Sequence, residues 1–324
     1  MLKLHFINVA DGDAIYVEEL YGPRPFRLLV DAGLPQVKPE PGSARVSCAS
    51  YLRDLGVRHI DVLVITHLHL DHFGGVQTLL EQVSVDRVYA GYLPPHPERR
   101  LAPQSDAVKT LRGQAECLNL WCETVQRLER AGCKLHPVGQ NETLSLTDRL
   151  TAELVVPNEG IWTFQKQVWD DLLDGRRVPD DLAYLASKSR NPGSLRLRLA
   201  YAGRRVELTG DCYGAMWDRE PLKPCDILKV PHHGDGKAVT ETLVRKLRPA
   251  HAVISCASQY IPHKDRPSAR TAELLAAQGS RLWYTDSFSM PGCSPVHWTA
   301  AVFCIAQDGT ILPPLPSTES GKEI

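Results

Sequence analysis

The chain has 324 residues, enough for one large α/β domain or two small ones around a sizeable core. Its 37 Lys and Arg against 38 Asp and Glu leave a net charge of −1, which excludes a global basic field for nucleic acid; any such contact must come from a local patch. Met1-Leu2-Lys3-Leu4-His5-Phe6 lacks the parts of a signal peptide, no run approaches the ~18 apolar residues of a membrane span, and the nine cysteines form no CxxC pair. The expectation is a cytoplasmic protein with no membrane partner and with reduced, mostly buried thiols.

In chain order, Leu4–Val9 and Ala14–Glu18 read as strands around the tight turn Asp11-Gly12-Asp13, and Arg27–Val30 as a third ending at Asp31-Ala32-Gly33. A Pro-rich loop precedes a predicted helix over Ala44–Leu55, stopped by Gly56. Asp61–Thr66 is a short β-branched run that delivers a His-rich segment, and Gly74-Gly75 opens a helix to about Gln82. From Ser105 to Gly132, Val108, Leu111, Ala115, Leu118, Cys122, Val125 and Leu128 recur at helical spacing, which suits a core-packed helix, a dimer face or a cap over a cleft. Strands return at Thr143–Leu146 and Leu154–Pro157, and Gly160–Arg190 reads as an insertion carrying Trp162, Phe164 and Trp169. Ser194–Ala200 and Arg205–Thr209 predict a hairpin ending at Gly210-Asp211, and Asp226–Val230 a strand ending at His232-His233-Gly234. A helix (Val239–Leu247), a strand (Ala252–Cys256), a helix (Ser268–Gln278), a strand (Arg281–Thr285) and a last strand (Trp298–Ile305) follow. Both halves run strands first and then strand–helix alternation, with no linker between them. We expect one domain over 1–313, insertions near 93–140 and 160–190, and a polar tail at 314–324.

The densest chemistry is Thr66-His67-Leu68-His69-Leu70-Asp71-His72, straight after an apolar strand. Alternate side chains turned to one side let His67 and His69 share an ion at about 2.0–2.1 Å. Asp71 and His72, where the loop turns, suit a second ion about 3.5–4 Å away. Asp211 ends another apolar strand and can bridge both ions, and one of His232 and His233 can complete the second site.

With Asp31 at a strand end, Thr-His-x-His-x-Asp-His, Gly210-Asp211 and a following His, the sequence resembles the metallo-β-lactamase-fold hydrolases. Asn8-Val9-Ala10-Asp11-Gly12-Asp13-Ala14, Leu29–Gly33, Leu208–Asp211 and Leu228-Lys229-Val230-Pro231-His232-His233-Gly234 make it most similar to the hydrolase domain of ComEC-type competence proteins, over roughly residues 3–290. The resemblance implies an α/β fold: an αββα sandwich of the metallo-β-lactamase type, two mixed sheets packed face to face with helices outside and metals at one edge. It places Asp31 beneath the His loop as an acceptor fixing an imidazole, and Asp13 either in a similar supporting part or as a turn aspartate. Most of the superfamily supplies a further histidine before the bridging aspartate; here only His96 and His136 lie there, in a different setting. The first site is then short of a ligand, with water or Asn191 of Asn191-Pro192-Gly193-Ser194 to fill the gap. The related branch often carries Ser after His-His-Gly, where this chain has Asp235.

Such a centre predicts a metal-dependent hydrolase with Asp71 and Asp211 in the catalytic machinery, and His263 either protonating a leaving group, contacting a phosphate or doing neither. His and carboxylate donors without Cys suit two ions of zinc or manganese, with iron also compatible. The nearest branch suggests a phosphodiester substrate, a nucleotide or nucleic acid cut by a phosphodiesterase or nuclease. Arg196 and Arg198 alternate with leucines on one strand, and with Lys229 they read as a phosphate-binding stripe or as a solvated sheet face. Two other classes stay open: a small-molecule ester, lactone or thioester hydrolase, and a metal-bound regulatory module with little turnover. Oligomeric state, including a homodimer, is left open.

Overall fold

The computed structural model describes residues 1–102, 109–156, 159–257, 266–286 and 297–314; His263 and most of the expected tail lie outside these. Strands β1 (Leu2–Ile7), β2 (Ile15–Glu19) and β3 (Phe26–Val30) lead to helix α1 (Cys48–Asp54), β4 (His59–Ile65), the short helices α2 (Leu70–Phe73) and α3 (Val76–Leu79), and β5 (Ser84–Ala90). Then come α4 (Lys109–Arg130), β6 (Lys134–Pro137), β7 (Glu142–Ser145), β8 (Leu150–Val155), α5 (Glu159–Leu173) and α6 (Asp180–Lys188). The last third holds β9 (Arg196–Tyr201), β10 (Arg204–Leu208), β11 (Ile227–Lys229), α7 (Glu241–Leu247), β12 (His251–Ile254), α8 (Ala269–Ala277), β13 (Arg281–Tyr284), β14 (Ala300–Ile305) and β15 (Ile311–Leu312).

Two mixed sheets form, ordered β15-β14-β1-β2-β3-β4-β5-β6 and β13-β12-β11-β10-β9-β8-β7. Leu2, Leu4 and Phe6 of β1 and Val62 and Val64 of β4 meet Leu197, Leu199, Val206 and Ile227 between the sheets. Leu63 and Ile65 face the other way, onto α1, α3 and α4 through Leu52, Val76, Leu118 and Trp121. Burial on both faces explains why β4 reads as an unbroken apolar run. Helices α7 and α8 cover the far side of the second sheet through Leu243, Val244, Leu247 and Leu275. The layering is therefore helix–sheet–sheet–helix, the sandwich expected from the sequence.

Two differences from the sequence reading are local. The helix expected from Ala44 begins at Cys48, because Val46 N–H is committed to Asn8 C=O (2.8 Å) and the Ser47 hydroxyl caps Ser50 N–H (3.1 Å). Strands β5 and β6, not expected, extend the parallel run beside β4. The expected insertion at 160–190 holds α5 and α6. No helix among the described residues is long and apolar enough to cross a membrane. The eight described cysteines are free, all buried except half-buried Cys304.

Candidate metal centre

The chemistry gathers at one edge, beyond the C-terminal ends of β3, β4, β10 and β11, where successive parallel strands release their loops. Asp31, just past β3, takes a left-handed φ of 57°, uncommon for a residue with a side chain. Its carboxylate accepts hydrogen bonds from Thr66 N–H (2.9 Å), Thr66 Oγ1 (2.7 Å) and His72 Nδ1 (2.7 Å). A proton held on Nδ1 leaves the His72 Nε2 lone pair bare. His233 follows the same logic: its Nδ1 lies 3.2 Å from the Ser255 carbonyl, which only accepts, so its Nε2 is bare as well.

Those two lone pairs converge on carboxylates. His72 Nε2 is 3.3 Å from Asp211 Oδ1, and His233 Nε2 is 3.4 Å from Asp71 Oδ2 and 3.8 Å from Asp211 Oδ1. His72 Nε2, His233 Nε2 and Asp211 Oδ1 are all buried without a hydrogen-bond partner. Lone pairs turned toward anionic oxygens in a dry site repel unless a cation or a proton lies among them. The donors of Asp71, His72 and His233 lie within 4.8 Å of one another, and so do those of His67, His69 and Asp211. Both groups fit a divalent transition ion in donor type and spacing, and Asp211 turns one oxygen toward each.

The charges fit as well. Burial works against a charged His72, yet Asp211 and Asp31 outweigh it and raise its pKa well above the ordinary value, so the surroundings favour positive charge at that position. Burial likewise resists ionisation of Asp71, but the imidazoles of His233, His72 and His69 hold it far below the usual carboxylate range. Burial, and then the positive Arg190, push His69 down to about 3, which keeps its imidazole neutral and able to ligate. In the first group His67 Nε2 and His69 Nδ1 are 2.9 Å apart, and His67 Nε2 is 3.8 Å from Asp211 Oδ2.

Close backbone packing holds the loop. Asp13 N–H bonds the Asp71 carbonyl (3.0 Å), and a Cβ at Gly12 would lie 2.5 Å from that oxygen, so the turn requires glycine there. Asp13 sits 4.0 Å from His72 Nδ1 and 3.8 Å from His233 Nδ1, beneath both rings. Asn191 is nearly buried; its Nδ2 reaches Tyr213 Oη (3.4 Å) and its Oδ1 has no partner. One contributor escaped the sequence reading. Arg190, in the expected insertion, donates to Leu68 C=O (3.2 Å) between the two motif histidines. A slot beside His67 is lined by Tyr92, Trp162, Gln165, Lys166 and Trp169. Arg190 has no local sequence signature, because its place depends on α6 folding back over the loop.

The expected phosphate-binding stripe does not form. Arg196 is fully buried, stacks on Trp217 (4.2 Å) and pairs with Glu220 (2.6 Å) and Glu207 (3.3 Å). Arg198 pairs with Glu207, Glu220 and Glu153, because strand register sets Glu207 and Glu153 directly across from it. Lys229 is fully buried with its Nζ 2.8 Å from Asp13 Oδ2. These cations are paired with carboxylates within the protein. Of the two histidines between the motif and Asp211, His96 pairs with Glu98 at the surface and His136 stacks on Tyr89.

Residues 26–258 match the family model described as Metallo-beta-lactamase superfamily. The chain is 22% identical over 297 residues to ComE operon protein 3 of Bacillus subtilis, covering 88% of this chain and 32% of that protein, so it spans about a third of that relative's length. Among solved structures it is similar to the metallo-beta-lactamase fold protein YhfI from Bacillus subtilis (TM-score 0.46, 10% identity, 87% of this chain and 95% of that one). It is also similar to Zn(2+)-bound PqqB from Methylobacterium extorquens (TM-score 0.43, 13% identity, 88% and 98%).

Proposed function

Because the chain belongs to the metallo-beta-lactamase superfamily, we propose that it is a metal-dependent hydrolase acting on phosphodiesters, of a nucleotide or a nucleic acid. The observation that carries the reading is the sharing of Asp211 between two ligand groups, with His72 and His233 on one side and His67 on the other. Paired sites of this kind suit in-line displacement at phosphorus, where charge builds on the entering and leaving oxygens together. Zinc or manganese bound there supplies Lewis acidity that lowers the pKa of water and draws charge from the scissile ester. The protein's own part is positional. Asp31 and the Ser255 carbonyl fix the imidazole tautomers, Asp211 sets the spacing of the two groups, and burial excludes competing water. With Arg196, Arg198 and Lys229 committed elsewhere, Lys166 on the wall of the slot is the cation placed to meet a phosphate.

A second reading has its own support. Tyr92, Trp162 and Trp169 make the small slot beside His67 largely aromatic, which suits a small apolar substituent of a lactone or thioester. Metal-loaded protein incubated with bis(p-nitrophenyl) phosphate, cyclic nucleotides, single- and double-stranded DNA, RNA and a lactone panel separates the two. Phosphodiester cleavage is expected, lowered at least ~100-fold by Asp71→Ala, which removes a ligand outright. Lactone cleavage alone would select the second reading, and full metal occupancy without turnover would leave a binding module.

A further inference from the structure

His232 and His233 are joined by one peptide bond, yet they serve different sides of Asp211. Both sit in the left-handed region, with φ of 47° and 53°, a conformation that residues with side chains adopt only where the surroundings enforce it. The kink sends His233 Nε2 toward Asp71 and Asp211 Oδ1. It sends His232 Nε2 to 3.9 Å from Asp211 Oδ2, the same oxygen that His67 Nε2 approaches at 3.8 Å. The adjacent imidazoles thus straddle the shared carboxylate.

The first group needs such a donor. His67, His69 and Asp211 supply three ligands, whereas the second group has Asp71, His72 and His233 as well as Asp211, and His96 and His136 are occupied elsewhere. His232 is also prepared for the role. Its Nδ1 lies 2.6 Å from Asp235 Oδ2, and the same carboxylate is fixed by Lys237 N–H at 2.7 Å. The carboxylate beside Nδ1 favours a proton there and leaves Nε2 to the shared oxygen, although the pair makes no aligned hydrogen bond of the kind Asp31 makes with His72.

We infer that His232 is the third imidazole of the ion site built on His67 and His69, with Asp235 as its orienting carboxylate, so that tandem histidines ligate two different ions. This rests on the metal-centre reading above, and the test separates the two.

The full chain is stripped of metal and titrated with Co2+, reading ion stoichiometry by elemental analysis and ligand environment by the visible absorption of bound cobalt. Wild type is expected to hold two ions. His67→Ala and His232→Ala should each hold one with the same residual spectrum, and the double variant should still hold one, since both remove the same site. His233→Ala should retain a different spectrum. Asp235→Asn should keep two ions with the affected one weakened ~10- to 100-fold. Should His232→Ala disturb folding, His232→Gly removes the imidazole while relaxing the left-handed backbone, and its thermal melt reports the fold independently. Two ions bound by His232→Ala or His232→Gly with wild-type affinity and spectrum would overturn the inference and leave the metal centre standing. A wild type that binds no cobalt would overturn both.

Discussion

Lys229 Nζ lies 2.8 Å from Asp13 Oδ2, with both side chains sealed from solvent. Neither charge would survive burial alone, and Asp13 in turn sits under the rings of His72 and His233. Lys229 is therefore the counter-ion that lets an aspartate lie beneath the candidate metal ligands. Its sequence neighbours, Leu228 and Val230, show an apolar strand but give no hint of a carboxylate more than two hundred residues away. Lys229→Met should cost about 3–5 kcal/mol in urea unfolding, because it strands Asp13 as an uncompensated charge. Asp13→Asn combined with Lys229→Met should recover most of that loss. If Lys229→Met unfolds at the wild-type urea concentration, Asp13 draws its compensation from elsewhere.

Among the elements, α5 decides the shape of the cleft. Gly91, just past β5, lies so close to it that a Cβ there would be 2.6 Å from Trp162 Cζ2. A tryptophan ring offers no flexible end to yield, so Gly91→Ala should push α5 outward and cost about 1–3 kcal/mol of overpacking. In Gly91→Ala/Trp162→Ala the two losses should not add, since the clash disappears with the ring. Additive losses in chemical denaturation would show that Gly91 does not seat α5. The same contact shows where the sequence stopped being legible. Thr66–His72 and Asp211 could be read because ligand types cluster at strand ends. β4 could be read because burial on both faces leaves an unbroken apolar run. β5 could not, because Ser84–Ala90 mixes Asp86 and Arg87 with its valines and is a strand only through pairing with β4 and β6. Arg196 and Arg198 could be assigned to a strand, but not their partners, because Glu153 and Glu207 reach them across two neighbouring strands.

At the scale of the whole molecule, the two sheets each hold half of the centre and must stay docked for it to exist. The first half supplies His67, His69, Asp71 and His72; the second supplies Asp211, His232 and His233. Thr66 C=O accepts from Leu195 N–H (2.8 Å) across the join. Docking of α1 on the outer face of the first sheet places a titratable group in that framework. His5 of β1 is nearly buried, with Nδ1 2.8 Å from Tyr51 Oη of α1 and its ring 5.2 Å from that of Tyr16. Burial, with a smaller push from Lys3, lowers its pKa from 6.5 to about 4. In that interval the unfolded chain binds a proton that the folded chain refuses, so unfolding becomes easier as pH falls. His5 thus contributes stability that is fully present above pH 6.5 and is lost as pH drops toward 4. Other imidazoles in the chain also titrate, so the informative quantity is the difference between wild type and His5→Gln, which keeps polarity but binds no proton. Urea unfolding of metal-free protein from pH 8 to 4 should show wild type losing stability faster than His5→Gln below about pH 6.5, the unfolded-histidine value. Parallel curves over that range would mean that His5 takes up its proton without leaving the sheet–helix interface.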